Sequence, residues 1–397
     1  MERITVTRDV TIPDKLRLQR YRRFPELGPK VLFFTGGSAL KQFSHELIRY
    51  THNSIHLMTP FDSGGSSAKL RDAFDMPAVG DLRNRLMAMS DDTITGNPEV
   101  YDLAAYRLPE DLTHEELKNT LLSIASGEHD LIRRVPEPLS EFIRLQLKNF
   151  INEMPDSFDL KGASIGNLII TGGYLYYHRK LDPILTLFSK ALAINGTVKP
   201  IVDTPLHLVA ELDNGESIIG QHHLTGKETT KIDSPVKNLF LSSCLESKTP
   251  VETTIDESSA KFIETAELIC YPPGSFYSSV IANLLPKGVA KEIASNRCPK
   301  IYIPNQGNDP EQLGMSLQDS IETLLSYLRK DSDDELPTEQ LLNFILVDSR
   351  NGDYPGGIPY ELLSELGIQI IDTELITERF KPLYDNTKLV NALLSIV

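Results

Sequence analysis

The chain has 397 residues, 40% hydrophobic and 24% charged, with 40 Lys plus Arg against 55 acidic residues and a net charge of −15. A chain of this length can bury a large core. The acidic excess argues against a general nucleic-acid or anionic-membrane binder and points to small anionic ligands met in a local pocket.

Residues 1–29 read as an N-terminal extension rich in Arg and Pro, with a β-like run from Ile4 to Val10. The opening Met-Glu-Arg-Ile-Thr-Val lacks the apolar segment of a secretory signal. No run approaches the ~18 apolar residues that span a bilayer. Cys244, Cys270 and Cys298 are far apart and odd in number, so neither a disulfide framework nor a zinc site fits them. A soluble cytoplasmic protein is expected, with no membrane and no nucleic-acid partner.

From Lys30 the pattern becomes strand, glycine turn, helix. The apolar run Val31-Leu32-Phe33-Phe34 meets Thr35-Gly36-Gly37-Ser38, and Leu40, Phe43, Leu47 and Ile48 then share one helical face. A second run, Ser54 to Thr59, ends at Pro60. This order is a βαβ unit of a parallel sheet. Residues 98–160 read as a helical insertion, with Leu117, Leu121, Leu122, Phe142, Leu145 and Phe150 as apolar positions and breaks at Pro136 and Pro138. Asn167 to Ala193 is a further helix-rich stretch whose middle Gly172-Gly173 weakens.

The period then changes to two. In a β-hairpin region spanning 197–225, Val198–Val202 and Leu206–Leu212 read as strands, and Asp213-Asn214-Gly215 turns the chain into Ser217–Ile219. After Leu268 short apolar runs return: Leu268–Tyr271, Lys300–Ile303, Phe344–Val347 and Ile368–Ile371. Alternating with helical stretches, they suit buried parallel strands. Asp331 to Glu335 reads as a solvated loop.

Several turns carry candidate chemistry. Gly36-Gly37-Ser38 could offer backbone amides and a helix dipole to an anion, or be a simple tight turn. The full Gly-x-Gly-x-x-Gly fingerprint is absent, since Ser38 and Lys41 occupy its later positions. The loop from Asp62 to Arg71 is richer. Asp62 could hold Mg²⁺ while Gly64, Gly65 and Ser66 meet phosphate oxygens, or the loop could merely cap the helix beginning near Ser66. Asp81 and Arg83 could complete the same pocket or form a cap and a surface pair. Gly274 and Ser275, after an apparent buried strand, repeat the logic of strand end, Gly-Ser turn and helix start, or form an ordinary turn with a helix cap, and Asn305 lies at another strand end. In open parallel sheets such ends converge on the ligand crevice. Two signals fail. Gly220 through Gly226-Lys227 has five residues between its glycines instead of four, and Glu228 where a P-loop has Ser or Thr. His222 and His223 are adjacent, a poor spacing for one shared metal.

Together these blocks resemble the CofD/YvcK family, which joins 2-phospho-L-lactate transferases to bacterial gluconeogenesis factors. The resemblance rests on Phe34 to Leu40, Asp62 to Ser67, Gly80 to Asn84, Ser164-Ile165-Gly166-Asn167-Leu168, Pro273 to Leu285 and Tyr384 to Leu389. It implies an α/β fold: a single Rossmann-like domain over 30–397, with a mostly parallel sheet flanked by helices. It further implies that Gly36, Gly37 and Ser38 meet phosphates, that Asn167, Gly274, Ser275 and Asn305 line a nucleotide site, and that Asp62 is the metal-binding or catalytic carboxylate. Arg83 would offset phosphate charge.

Two departures stand out. The family's first turn resembles Gly-Gly-Gly-Thr-Gly, whereas this chain has Thr35-Gly36-Gly37-Ser38-Ala39. An Asp-Asp pair is common where Asp62-Ser63 stands. The expectation is a protein that binds a nucleotide diphosphate adduct and moves a phosphate-containing group from it to a hydroxyl acceptor with Mg²⁺. The alternative is a non-catalytic regulator that binds a nucleotide sugar. Either is compatible with a homo-oligomer.

Overall fold

The computed structural model describes residues 9–37, 39–91, 96–226, 231–330 and 336–397. The loop expected at Asp331 to Glu335 and most of the run from Ile4 to Val10 lie outside the described residues.

A seven-stranded parallel sheet organises the molecule. Its first strands are β1 (Val31–Thr35), β2 (Ile55–Met58) and β3 (Thr197–Pro200). On the other side of β1 lie β7 (Leu268–Tyr271), β8 (Lys300–Tyr302), β9 (Phe344–Val347) and β10 (Gln369–Asp372). The spatial order is β10-β9-β8-β7-β1-β2-β3. Successive strands therefore run outward in opposite directions from the β1–β7 boundary. That reversal opens a crevice at the carboxyl ends of these two strands.

All five residues of β1 are buried, and they alternate between two cores as strand geometry requires. Val31 and Phe33 face α2 (Lys41–Leu47) and the C-terminal helix Asn386–Ile396; Leu32 and Phe34 face Leu57, Tyr271 and Ile345 on the opposite side. A third core is mostly helical and extends from Met58 and Val198 outward. Before the sheet, α1 (Lys15–Arg23) is capped by Asp14 and packs on the C-terminal helix.

Helices α3 (Gly65–Phe74) and α4 (Gly80–Ala88) follow β2. The segment 98–160 folds as α5 (Pro98–Ala105), α6 (His114–Ser126), α7 (Asp130–Arg133) and α8 (Leu139–Glu153). Thr113 and Glu116 form a capping box that starts α6, and Gly127, in the left-handed region, ends it. Next come α9 (Ile165–Tyr176) and α10 (Leu181–Ala191). Gly172-Gly173 does not weaken α9. A Cβ on Gly172 would lie 1.9 Å from the Gln146 carbonyl oxygen of α8, and one on Gly173 would lie 2.3 Å from Ile184. The glycines are what lets α9 pack so tightly on α8 and α10, and packing overrides their low helix propensity.

The hairpin region needs a second correction. Its first run joins the parallel sheet as edge strand β3, while β4 (His207–Leu212) and β5 (Ser217–Ile219) pair antiparallel. An unanticipated strand, β6 (Val236–Ser242), completes a separate three-stranded sheet in the order β5-β4-β6. The short helix α11 (Gln221–Thr225) follows β5. Along β3, Thr197 and Ile201 donate their amides to the Ser54 and Met58 carbonyls, so alternation turns Val198 and Pro200 outward. Proline has no N–H and is tolerated in a strand at such an edge.

Candidate functional site

Three helix starts converge on one cavity of about 270 Å³ beside the crevice. Gly65, Ser66 and Ser67 come from the first turn of α3, Gly80 and Asp81 with Arg83 from that of α4, and Asn167 from that of α9. None of these three helices has a side-chain N-cap hydrogen bond. The Ile165 amide at the head of α9 donates to the Tyr106 carbonyl at 2.9 Å, and the positive ends of three helix dipoles lie beside the cavity. A Cβ on Gly80 would lie 2.7 Å from Ser67 Oγ and would displace that hydroxyl from the cavity wall.

The charged side chains reinforce this bias. Arg83 is 5% exposed, and its Nε donates to Asn167 Oδ1 at 3.4 Å while Nη1 reaches Met87 Sδ at 3.2 Å. No ion pair among the described residues holds it. Burial, and then the like charge of Arg107, pull its guanidinium down to about 10, so it stays protonated at neutral pH. Asn167 Nδ2 donates to Ser66 Oγ at 3.3 Å, which links α3, α9 and α4 across the cavity. Exposed Arg107 adds a second cation to the wall.

The glycine turn after β1 is fixed from below. Gly37 N–H donates to Asp81 Oδ2 at 2.8 Å. Fully buried Arg85 donates to the Gly37 carbonyl and Thr35 Oγ1, each at 3.5 Å, and to Ser44 Oγ at 2.6 Å. Asp81 and Arg85, one helical turn apart on α4, thus grip both sides of one residue. Gly37 lines the cavity, but its amide is engaged by the carboxylate. Gly36 lies beneath, where a Cβ would stand 2.7 Å from both Ser279 Oγ and Thr59 Oγ1. Ser38 lies outside the described residues.

Asp62 lines the cavity, and its Oδ1 accepts the Gly64 amide at 3.2 Å. Arg71, on α3, donates to the Asp62 carbonyl at 3.2 Å and the Leu206 carbonyl at 2.7 Å, which ties this loop to the antiparallel sheet.

The turn after β7 departs from the expected helix start. Phe276–Val280 is a π-helical turn and Ile281–Leu284 a 3₁₀ turn. Asn305 pairs reciprocally with Gly274, accepting its amide at 2.7 Å and donating to its carbonyl at 2.6 Å. Asp309 takes the Phe276 amide and Glu311 the Ser278 amide. Burial, with neighbouring Asp309, holds the Glu311 carboxyl well above the usual range. Gly274, Ser275 and Asn305 line a second cavity of about 620 Å³, rimmed by Phe380, Leu383 and Tyr384 near the C-terminus. Ser275 faces both cavities, so the candidate residues fall into two adjoining compartments.

Sequence reasoning missed the opposite wall of the smaller cavity. There α11 contributes Gln221, His222 and Thr225. The ring nitrogen Nδ1 of His222 lies 2.8 Å from Ser63 Oγ. The local signals were the Gly220–Gly226 stretch, which resembled a P-loop too poorly to use, and the adjacent His222-His223 pair, whose spacing suited no shared metal.

A family model described as 2-phospho-L-lactate transferase CofD matches residues 31–356. The chain belongs to the CofD family. Among its relatives, a putative gluconeogenesis factor of Thermoanaerobacterium thermosulfurigenes is 27% identical, with 93% of this chain and 97% of that protein covered. The gluconeogenesis factor of Bacillus subtilis is 25% identical over 92% and 97%. A solved member of the UPF0052 family from Bacillus halodurans has the same fold, with a TM-score of 0.66, 22% identity, and 92% and 99% covered. The family resemblance and the α/β, Rossmann-like fold expected from sequence both hold.

In this CofD-family chain, Asp62 and Asp81 are the carboxylates lining the smaller cavity. No group of three or more His, Cys, Asp or Glu among the described residues could hold a metal. Mg²⁺ needs no such group, being commonly held by one or two carboxylates together with substrate phosphates. No helix among the described residues is long and apolar enough to cross a membrane.

Proposed function

We propose that this CofD-family protein binds a nucleotide diphosphate adduct in the crevice and moves a phosphate-containing group from it to a hydroxyl acceptor, in the manner of a 2-phospho-L-lactate transferase. The observation that carries the reading is the meeting of the first turns of α3, α4 and α9, with their dipoles, and buried, charged Arg83 at one cavity. Dipoles and cations arranged before the ligand arrives stabilise charge with no reorganisation. The diphosphate would lie against the first turns of α3, α4 and α9, between Arg83 and Arg107. Ser275 would mark its passage into the larger cavity. Asp62 and Asp81 would hold Mg²⁺, which when bound would neutralise developing charge on the phosphate oxygens. The chain's own contribution is to align the reacting groups and exclude water.

A second reading has its own support. The curated relatives are called gluconeogenesis factors, and the cavity lining offers two carboxylates rather than a larger acidic set. Under it, the same cavity binds a nucleotide sugar without turnover and the protein acts as a metabolic regulator.

A thermal-shift screen of GDP, UDP and their sugar adducts, with and without Mg²⁺, separates the two. A ligand that binds only the folded state raises its apparent stability. Mg²⁺-dependent stabilisation by a guanosine or uridine diphosphate, with product formed when a hydroxyl acceptor is added, supports the transferase. Metal-independent stabilisation by a nucleotide sugar with no product supports the regulator. If no nucleoside diphosphate binds at millimolar concentration, both readings fall.

A further inference from the structure

The cavity's two walls differ in chemistry. One is positive: the helix dipoles, Arg83 and Arg107. The other is α11, which the small antiparallel sheet holds over the Asp62 loop. Gln221 on that wall is 6% exposed, and its Oε1 is a buried acceptor with no hydrogen-bond partner. An unpaired buried carbonyl of this kind costs free energy unless a ligand supplies a donor.

Next to it, His222 is fixed twice by Ser63, through Nδ1 at 2.8 Å and through its own amide to Ser63 Oγ at 3.4 Å. Gly220 permits this approach. It sits at φ +97°, and a Cβ there would lie 2.9 Å from Ser63 Oγ and 3.2 Å from the imidazole. Ser63 is itself 7% exposed. The sequence thus uses a glycine, a buried serine and a histidine to seat one short helix against the phosphate loop.

A phosphate oxygen has no proton to offer Gln221 Oε1, whereas a hydroxyl has. Resting on the reading that the opposite wall takes a diphosphate, we infer that α11 forms a subsite for the hydroxyl-bearing group next to that diphosphate. Gln221 Oε1 accepts from a ligand hydroxyl, and His222, oriented by Ser63, forms the neighbouring contact. The group is a sugar attached to the diphosphate or a separate polyol; both present the same donor.

Calorimetry on the full chain tests this. The probes are UDP, GDP, UDP-glucose, GDP-mannose, and UDP with saturating free glucose. Wild type should bind at least one hydroxyl-bearing probe about tenfold more tightly than the parent diphosphate, or bind free glucose in the presence of UDP. An advantage for the nucleotide sugars alone means an attached group, and one for free glucose alone means a separate molecule. Gln221→Leu and His222→Ala should lose that increment while keeping the affinity for UDP or GDP. Gln221→Glu, which retains an acceptor oxygen, should keep it. Retained UDP or GDP binding by the Leu variant also shows that it is folded. The inference is overturned if no probe shows an increment in wild type, or if the increment survives both substitutions. Failure of wild type to bind UDP or GDP at all would instead strike the diphosphate reading.

Discussion

Replacing Arg83 with Met removes the site's buried charge while keeping most of its volume. Arg83 is 5% exposed, and its guanidinium donates to Asn167 Oδ1 at 3.4 Å and Met87 Sδ at 3.2 Å. Its fall from 12.5 to about 10, caused first by burial and then by the like charge of Arg107, corresponds to ~3 kcal/mol in all, at about 1.4 kcal/mol for each tenfold change. With no carboxylate pairing it, Met should leave the unliganded protein as stable as wild type or up to ~3 kcal/mol more stable in urea. Binding should move the other way. A hydrogen bond to a charged group contributes about 1.5–3 kcal/mol, so pyrophosphate and UDP should bind roughly tenfold to 150-fold more weakly. Arg83→Lys adds a pH signature. Lysine starts near 10.4, and the same burial and like charge would pull it down towards neutral pH. Its affinity should therefore fall between pH 7 and pH 9 while that of wild type changes little. Wild-type affinity in the Met variant, or its destabilisation by several kcal/mol, would refute the assignment of Arg83 to an anion.

Other substitutions probe separate parts of the argument. Asp62→Asn should erase the Mg²⁺-dependent part of any stabilisation by GDP or UDP while leaving metal-free binding within about twofold; an undiminished Mg²⁺ effect in a melting assay would exclude Asp62 as a ligand. Gly172→Ala places a carbon 1.9 Å from the Gln146 carbonyl oxygen. Helices α8 and α9 would have to separate, at a cost of about 1–3 kcal/mol measured by urea unfolding, and an unchanged midpoint would contradict the close packing. His207 is held down to about 4, first by burial and then by Arg71. Between pH 6.5 and 4 the unfolded chain binds the proton and the folded one does not, so the stability contribution is present above 6.5 and lost as pH falls through 4. His207→Gln should flatten that acid limb, and a melting profile with an unaltered slope would reject this account.

Much of the fold was legible because its signals are local. The apolar run Val31 to Phe34, its glycine turn and the second run at Ser54 to Thr59 describe a βαβ unit without help from distant residues. The density of Gly, Ser and Asp at Asp62 to Ser67 and at Gly80 to Arg83 marked two helix starts that do meet in space. What escaped notice depends on long-range partners. Gly172-Gly173 looks like a helix breaker until the backbone of α8 is seen against it. Val198 and Leu208 share a strand-like period, yet they belong to different sheets. Gln221 and His222 gained meaning only when the antiparallel sheet carried them to Ser63, 159 residues earlier in the chain for His222.

The outer border of β3 limits how copies of this molecule could meet. Between Thr197 and Ile201, Val198 is the one outward position that still carries an amide, because Pro200 occupies the next. A neighbouring strand would find no continuous ladder to join there, so two molecules cannot merge into one wider sheet across this border. Any assembly involving this flank must be written in side chains rather than main chain. Its partner choice would then be open to change by single surface substitutions, with the fold left untouched.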